Sequence, residues 1–147
     1  MPAMQLQCIG AVVREYQSED AESISLIDDA SRTGAMSVVK LRDYANDMLV
    51  LERSGKIRGY CLYSERRNSF RILHMSVDQQ RSGFGCRLIN ALLTRAITKG
   101  KSRIDAYVDE KNVQGQLWFA KRGFECVEIV TVGKLVQYVF RSLRSQL

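Results

Sequence analysis

The chain is short of everything that staples a small extracellular scaffold together. It has one Pro and one His in 147 residues, and its four cysteines (Cys8, Cys61, Cys86 and Cys126) are scattered with no C-x-x-C pair. That spacing, with His74 as the one possible imidazole partner, indicates neither a disulfide framework nor a zinc site, so no metal is expected. No apolar run approaches the roughly 18 residues of a membrane span, and no membrane partner is expected. The opening MPAMQLQCIG lacks the basic segment and apolar stretch of a signal peptide, so the expected location is the cytoplasm. Linker-like, repeated and low-complexity stretches are also lacking. One globular domain over residues 1–147 is expected, long enough to bury about 68–70% of the surface of its unfolded chain.

What is present is unevenly charged. Residues 1–50 carry 4 basic and 8 acidic groups, whereas residues 51–147 carry 18 and 8, a surplus of +10. A basic half suits nucleic acid, a membrane surface or a polyanionic small molecule, and a solvated face with no partner fits equally well.

Apolar periodicity orders the elements. Cys8–Tyr16 reads as a strand, and Ser18 caps a helix running to about Ser31, with acids in its first turn. Lys40–Asn46 reads as a short second helix. Met48–Glu52 and Ile57–Ser64 form a hairpin around Ser54-Gly55, and Phe70–Val77 follows after the polar turn Arg66-Arg67-Asn68. The long amphipathic helix Cys86–Lys99 carries Leu88, Ile89, Leu92, Leu93, Ala96 and Ile97 on one stripe. Ile104–Val108 is a strand, Asn112–Arg122 a helix, and Phe124–Val132 with Leu135–Arg141 an antiparallel pair. The order βααββββαβαββ predicts an α/β fold of one domain, a mixed, mostly antiparallel sheet of about seven strands flanked by about four helices.

The stretch Gln80-Arg81-Ser82-Gly83-Phe84-Gly85 carries the chemistry. A strand passing through it into a helix turns several backbone N–H groups toward one anion-sized space, with the helix dipole behind them. A Walker loop is excluded because Cys86 stands where Lys would follow, and a dinucleotide fingerprint because Leu88 replaces its third Gly. Pyrophosphate is the natural guest. A bare tight turn is the alternative that the glycines alone leave open.

This stretch resembles the Q/R-x-x-G-x-G/A segment of the GCN5-related N-acetyltransferases (GNAT). Asn112-Val113-Gln114-Gly115-Gln116-Leu117-Trp118-Phe119-Ala120-Lys121-Arg122-Gly123-Phe124 resembles the family's N-x-x-A-x-x-L-Y-x-x-x-G-F, and Gly59-Tyr60 is similar to its strand-three Gly-Tyr. The resemblance covers about residues 11–141, and the ribosomal-protein alanine acetyltransferase branch looks nearest. It implies acetyl-CoA as cosubstrate, held by Met75, Ser76 and Val77 on strand four, by Gln80, Arg81, Ser82, Gly83, Phe84, Gly85 and Cys86, and by Asn112 and Phe119. It also implies that the backbone near Met75–Val77 polarises the thioester, and that the pantetheine pairs with an edge opened between strands four and five.

Three departures stand out. Val77 lies six residues before Gly83, which makes the loop two residues shorter than is common in the family unless Met75 takes the Val place. Phe119 stands where many members carry the Tyr that protonates the departing thiolate, and Tyr107 where the alanine acetyltransferases place a Glu base. The expected activity is transfer of an acetyl group to a primary amine, of a peptide N-terminus or a small molecule, by direct attack in a ternary complex. Tyr107 is the candidate proton donor. His74, or a carboxylate of Glu65, Asp105 or Asp109 acting through water, is a candidate base. Trp118 is expected in the core. The alternative function is a catalytically degenerate CoA-binding protein, or a basic module for RNA or an acidic protein. Nucleic acid is disfavoured because no aromatics interleave with the Lys and Arg residues. Monomer and homodimer are both compatible with the sequence.

Overall fold

Met48–Leu51 and Tyr60–Ser64 are buried without a break, so the two strands that carry them are covered on both faces. The structure, a computed structural model, describes residues 10–31, 47–79 and 81–142. Its elements are β1 (Ala11–Glu15), a 3-10 turn at Ser18–Asp20, α1 (Ala21–Ser31), β2 (Asp47–Arg53), β3 (Lys56–Glu65), β4 (Ser69–Val77), α2 (Phe84–Thr98), β5 (Arg103–Asp109), α3 (Val113–Lys121), β6 (Glu125–Val132) and β7 (Leu135–Arg141). The strands form one seven-stranded, mostly antiparallel sheet in the order β1-β2-β3-β4-β5-β7-β6. The β4–β5 pair is parallel. The helix expected at Lys40–Asn46 lies outside the described residues, as does Cys8 at the start of the expected first strand.

The chain groups into two compact units. One takes the chain up to Ser64 together with His74–Leu92; the other takes Glu65–Leu73 together with Leu93 onward. In the first, Ile24, Ile27, Leu88, Ile89 and Leu92 are buried with the strands. In the second, Phe70, Ile72, Ile104, Ala106, Phe119, Phe124, Val139 and Phe140 make the core. No helix among the described residues is long and apolar enough to cross a membrane.

The α2 helix begins at Phe84, two residues before the expected start at Cys86. The cause is Ser82, whose Oγ accepts the Phe84 N–H at 3.2 Å. This gives the first helical amide a partner that periodicity alone does not reveal.

An ion-pair cluster ties β1 to its neighbours. Arg14 donates to both oxygens of Asp20 at 2.8 Å and to Glu52 Oε2 at 2.8 Å, and Asp20 Oδ2 also accepts the Gln17 N–H at 2.8 Å. The hydrogen bonds from Arg14 hold the Asp20 carboxyl below the ordinary carboxylate range. A depressed folded-state value means stabilisation that is present above the unfolded value of about 3.9 and is lost as pH falls through the folded one. Thermal melts at pH 7 and pH 3 should therefore show a larger loss of Tm for the wild type than for Asp20→Asn, which should start from a lower Tm at pH 7.

Candidate active site

The end of β4 differs from its beginning. Phe70 and Ile72 are buried, whereas Leu73 to Val77 are all partly exposed. Parallel pairing with β5 spans Ser69 to Ile72 against Arg103 to Ala106. Gly59 on β3 sits against this end of β4. A Cβ on residue 59 would lie 2.9 Å from Val77 Cγ1, 3.1 Å from the Ser76 carbonyl oxygen and 3.4 Å from Leu88 Cδ1. Only glycine lets the β3 backbone approach β4 and α2 so closely.

Beyond Val77 the chain turns into α2 through a short, well-tied loop. Ser82 is 1% exposed, and its Oγ donates to the Gln79 carbonyl at 2.8 Å while accepting from Phe84. Gly83 adopts φ 84°, in the left-handed region, and its carbonyl accepts the Arg87 N–H at 3.1 Å. Arg81 also has a positive φ, 58°, a conformation that costs a non-glycine residue energy and recurs at functional turns. Phe84 is wholly buried, so a ligand at this turn meets its backbone rather than its ring. Met75–Val77 and Arg81–Cys86 thus fall together within one unit, at the strand end, turn and helix start that the sequence predicts. Gln80 lies outside the described residues.

His74, one turn of the pleat before Met75, has a partner set that the sequence does not announce. Its Nδ1 lies 3.1 Å from Tyr60 Oη, the two rings stack with centroids 5.6 Å apart, and the Tyr60 hydroxyl donates to Asp28 Oδ1 at 3.3 Å. Asp28, at 3% exposure, also lies 4.0 Å from His74 Nε2. Nδ1 of His74 therefore faces the Tyr60 hydroxyl and Nε2 faces the Asp28 carboxylate, and the tautomer sets which way the contact with Tyr60 runs. Asp28 is not singled out by the sequence, and Tyr60 only as part of the Gly59-Tyr60 pair. The available signal was a carboxylate on the same helical stripe as Ile24 and Ile27, where an acid is expensive unless partnered.

The other candidates lie in the second unit. Tyr107 follows Ala106, the last β5 residue paired with β4, and the Arg71 guanidinium carbon stands 4.5 Å from its ring centroid. Asn112 caps α3 by accepting the Gly115 N–H at 2.9 Å. Phe119 is 6% exposed and packs with Phe124 and Phe140, at centroid distances of 5.2 and 6.3 Å. Trp118, expected in the core, is only half-buried, with the Arg122 guanidinium 4.0 Å over its ring, because Phe119 rather than Trp118 faces the sheet.

Two of the three carboxylate candidates are held by cations. Asp105 accepts from Arg141 at 2.8 Å and from Arg103 at 3.1 Å. Glu65 meets Lys99 at 2.8 Å and Lys101 at 3.0 Å, and the Lys99 hydrogen bond foremost lowers its pKa, which weakens it as a base. Asp109 Oδ1 accepts the Lys111 N–H. Desolvation pushes the buried Cys61 thiol up to about 12, so it stays protonated and unreactive. Among the described residues no group of three or more His, Cys, Asp or Glu is placed to hold a metal.

The geometry therefore defines an α/β protein with a short strand–loop–helix turn at the end of its fourth strand. The sequence matches the family model of the acetyltransferase (GNAT) domain over residues 12–139, and the chain belongs to that family of acyltransferases. Among solved structures, a GNAT-family acetyltransferase from Desulfovibrio desulfuricans superposes with a TM-score of 0.79 at 14% identity, covering 91% of this chain and 99% of that one. The ribosomal-protein-S18-alanine N-acetyltransferase of Escherichia coli gives 0.75 at 15% identity, covering 90% and 92%. PaiA N-acetyltransferase from Thermoplasma acidophilum, solved in complex with coenzyme A, gives 0.72 at 14%, covering 90% and 98%. No curated protein matches the sequence.

Ser82 gives a test of the turn without any ligand. Replacing it with Ala removes a hydroxyl that is both donor and acceptor and strands the Phe84 amide, at a cost of about 1–3 kcal/mol. Ser82→Ala should lower Tm by several degrees in calorimetry while leaving the far-ultraviolet dichroism of the folded protein unchanged.

Proposed function

We propose that this chain is a single-domain, acetyl-CoA-dependent N-acetyltransferase of the cytoplasm. The observation that carries the reading is the turn from Val77 through left-handed Gly83 into a helix whose first residue is capped by Ser82. Such a turn exposes backbone amides of Gly83 and Gly85 at a helix N-terminus, where a pyrophosphate is stabilised by hydrogen bonds and by the dipole. The match to the GNAT domain supports acetyl-CoA as the bearer of that pyrophosphate, and the relative solved with coenzyme A supports it further.

In the reaction the amine lone pair attacks the thioester carbon. A nitrogen–carbon bond forms, the carbon–sulfur bond breaks with its electron pair going to sulfur, and the amine loses a proton. The backbone at Met75–Val77 stabilises the developing oxyanion. His74 takes the amine proton, and the imidazolium so formed is stabilised by the Asp28 carboxylate near its Nε2, with Tyr60 at Nδ1. Tyr107 gives a proton to the departing thiolate, whose ordinary pKa of about 8.5 makes it a tolerable leaving group even without help. An α-amino group, with a pKa near 7.7–8, is neutral far more often at pH 7 than a lysine amine near 10.4. One histidine base with Glu65 and Asp105 tied up therefore suits a peptide N-terminus best. A second reading, a protein that binds coenzyme A without turnover, draws support from Phe119, which places a buried phenyl ring where many relatives carry a phenol.

Gly85→Asp puts a carboxylate among the first-turn amides and should abolish acetyl-CoA binding in calorimetry, with the fold retained. Gly83→Asp should do the same with an added loss of Tm, because its backbone is left-handed. A wild type that is folded yet gives no heat with acetyl-CoA would end the proposal.

Thiol release in the presence of an amine and peptide panel separates enzyme from binder. His74→Gln should lower the single-turnover rate by about 10²-fold or more and leave acetyl-CoA affinity unchanged. Tyr107→Phe should lower the rate more modestly. Equal rates in wild type and both variants would withdraw the two assignments.

A further inference from the structure

Arg58, on β3 immediately before Gly59, grips the loop from outside. Its Nε donates to Asp78 Oδ2 at 2.6 Å and its Nη2 to Gln79 Oε1 at 3.1 Å, while its carbonyl oxygen accepts the Asp78 N–H at 2.9 Å. The guanidinium carbon also stands 5.4 Å from the ring centroid of Phe84, the first residue of α2. One side chain on a neighbouring strand thus touches both ends of the stretch that joins β4 to α2. The ion pair is partly shielded, with side-chain exposures of 22% and 23% for Arg58 and Asp78.

We propose that Arg58 is a positioning residue for the acetyl-CoA pyrophosphate loop and sets cofactor affinity without taking part in acetyl transfer. This rests on the reading of the loop given under Proposed function. A short turn holds its amides in an anion-binding array only if its two ends are fixed, and residues of a free loop would each sample many backbone states. Arg58 fixes the first end by charge-assisted hydrogen bonds to Asp78 and Gln79 and lies against the second at Phe84. It also neutralises Asp78, whose carboxylate would otherwise stand unpaired beside a site for a polyanion.

The clamp is tested with Arg58→Met, Asp78→Asn and the double variant. Steady-state kinetics should show KM for acetyl-CoA raised roughly tenfold in Arg58→Met, the size of one charge-assisted contact, with kcat and the KM for the amine unchanged. Asp78→Asn should raise it too, and the double variant should be no worse than Arg58→Met, because both substitutions cut the same link. Arg58→Lys should recover part of the loss. Asp78→Asn binding acetyl-CoA as tightly as wild type, or tighter, would overturn the proposal and leave charge neutralisation as the whole effect.

Hydrogen exchange needs no cofactor and keeps the two failures apart. In the ligand-free protein, amides over residues 78–84 should exchange about tenfold faster in Arg58→Met than in wild type, with β1 and β2 amides unchanged. Unchanged exchange at 78–84 would overturn the clamp, even in a protein that binds acetyl-CoA. Faster exchange in a protein that does not bind acetyl-CoA would uphold the clamp as a device of the loop and overturn its role in cofactor affinity.

Discussion

The packing of the β3 backbone against the end of β4 and the start of α2, without a side chain between them, is the constraint on which the site depends. Gly59 makes that approach possible, and its neighbours divide the consequences between them. Arg58 reaches over the loop to Asp78 and Gln79, and Tyr60 reaches to His74 and Asp28. Three consecutive residues of one buried strand therefore serve the loop, the close packing and the candidate base. A larger residue at 59 would press on Val77 and the Ser76 carbonyl and strain the packing of β3 against β4. The loop and the His74 ring would then move together.

Charge is arranged on the same principle of local commitment. The surplus of +10 after residue 50 looks, in composition, like a surface waiting for a polyanion. In the structure many of the basic side chains behind that surplus already have partners. Lys99 and Lys101 meet Glu65, Arg103 and Arg141 meet Asp105, and Arg71 and Arg122 lie over the rings of Tyr107 and Trp118. Exposed pairs of this kind contribute little stability each and leave the net charge unchanged, but they fix where the basic side chains lie. Asp105 is different, because at 5% exposure an unpaired carboxylate there would be costly, so two arginines are its condition for being buried.

Most of the fold was legible because the signals were periodic or punctuated. Turn residues at Ser54-Gly55 and Arg66–Asn68 separate runs whose apolar content fits strands, and β7 begins and ends where the sequence places it. The loop and its glycines were legible for a similar reason, since backbone geometry is written in residue type. Side-chain partnerships across the fold were not. Asp28 and Tyr60 are 32 residues apart, and no local pattern joins them. Trp118 and Phe119 are adjacent apolar residues on one helix, and which of them faces the sheet depends on the helix's rotation, an angle that α3's few apolar positions define weakly. The early start of α2 was missed because a serine two residues outside a helix acts through its hydroxyl, a contact with no periodicity.

The burial of Phe119 also bears on how a family can lose acid–base side chains and keep its reaction. The oxyanion is the largest charge that develops in acyl transfer, and on the proposed reading it meets backbone, which substitution cannot remove. A thiolate leaves a thioester far more readily than an amine leaves an amide, so the proton donor is the first element that can be dispensed with. On the proposed reading position 119 can then serve packing, and a phenyl ring with no hydroxyl to satisfy fits among Phe124 and Phe140 better than a phenol would. The amine proton is harder to do without, because a protonated amine cannot attack at all. On the proposed reading that asymmetry fits the structure: Phe119 packs in the core, whereas His74 is held by a buried carboxylate and a phenol.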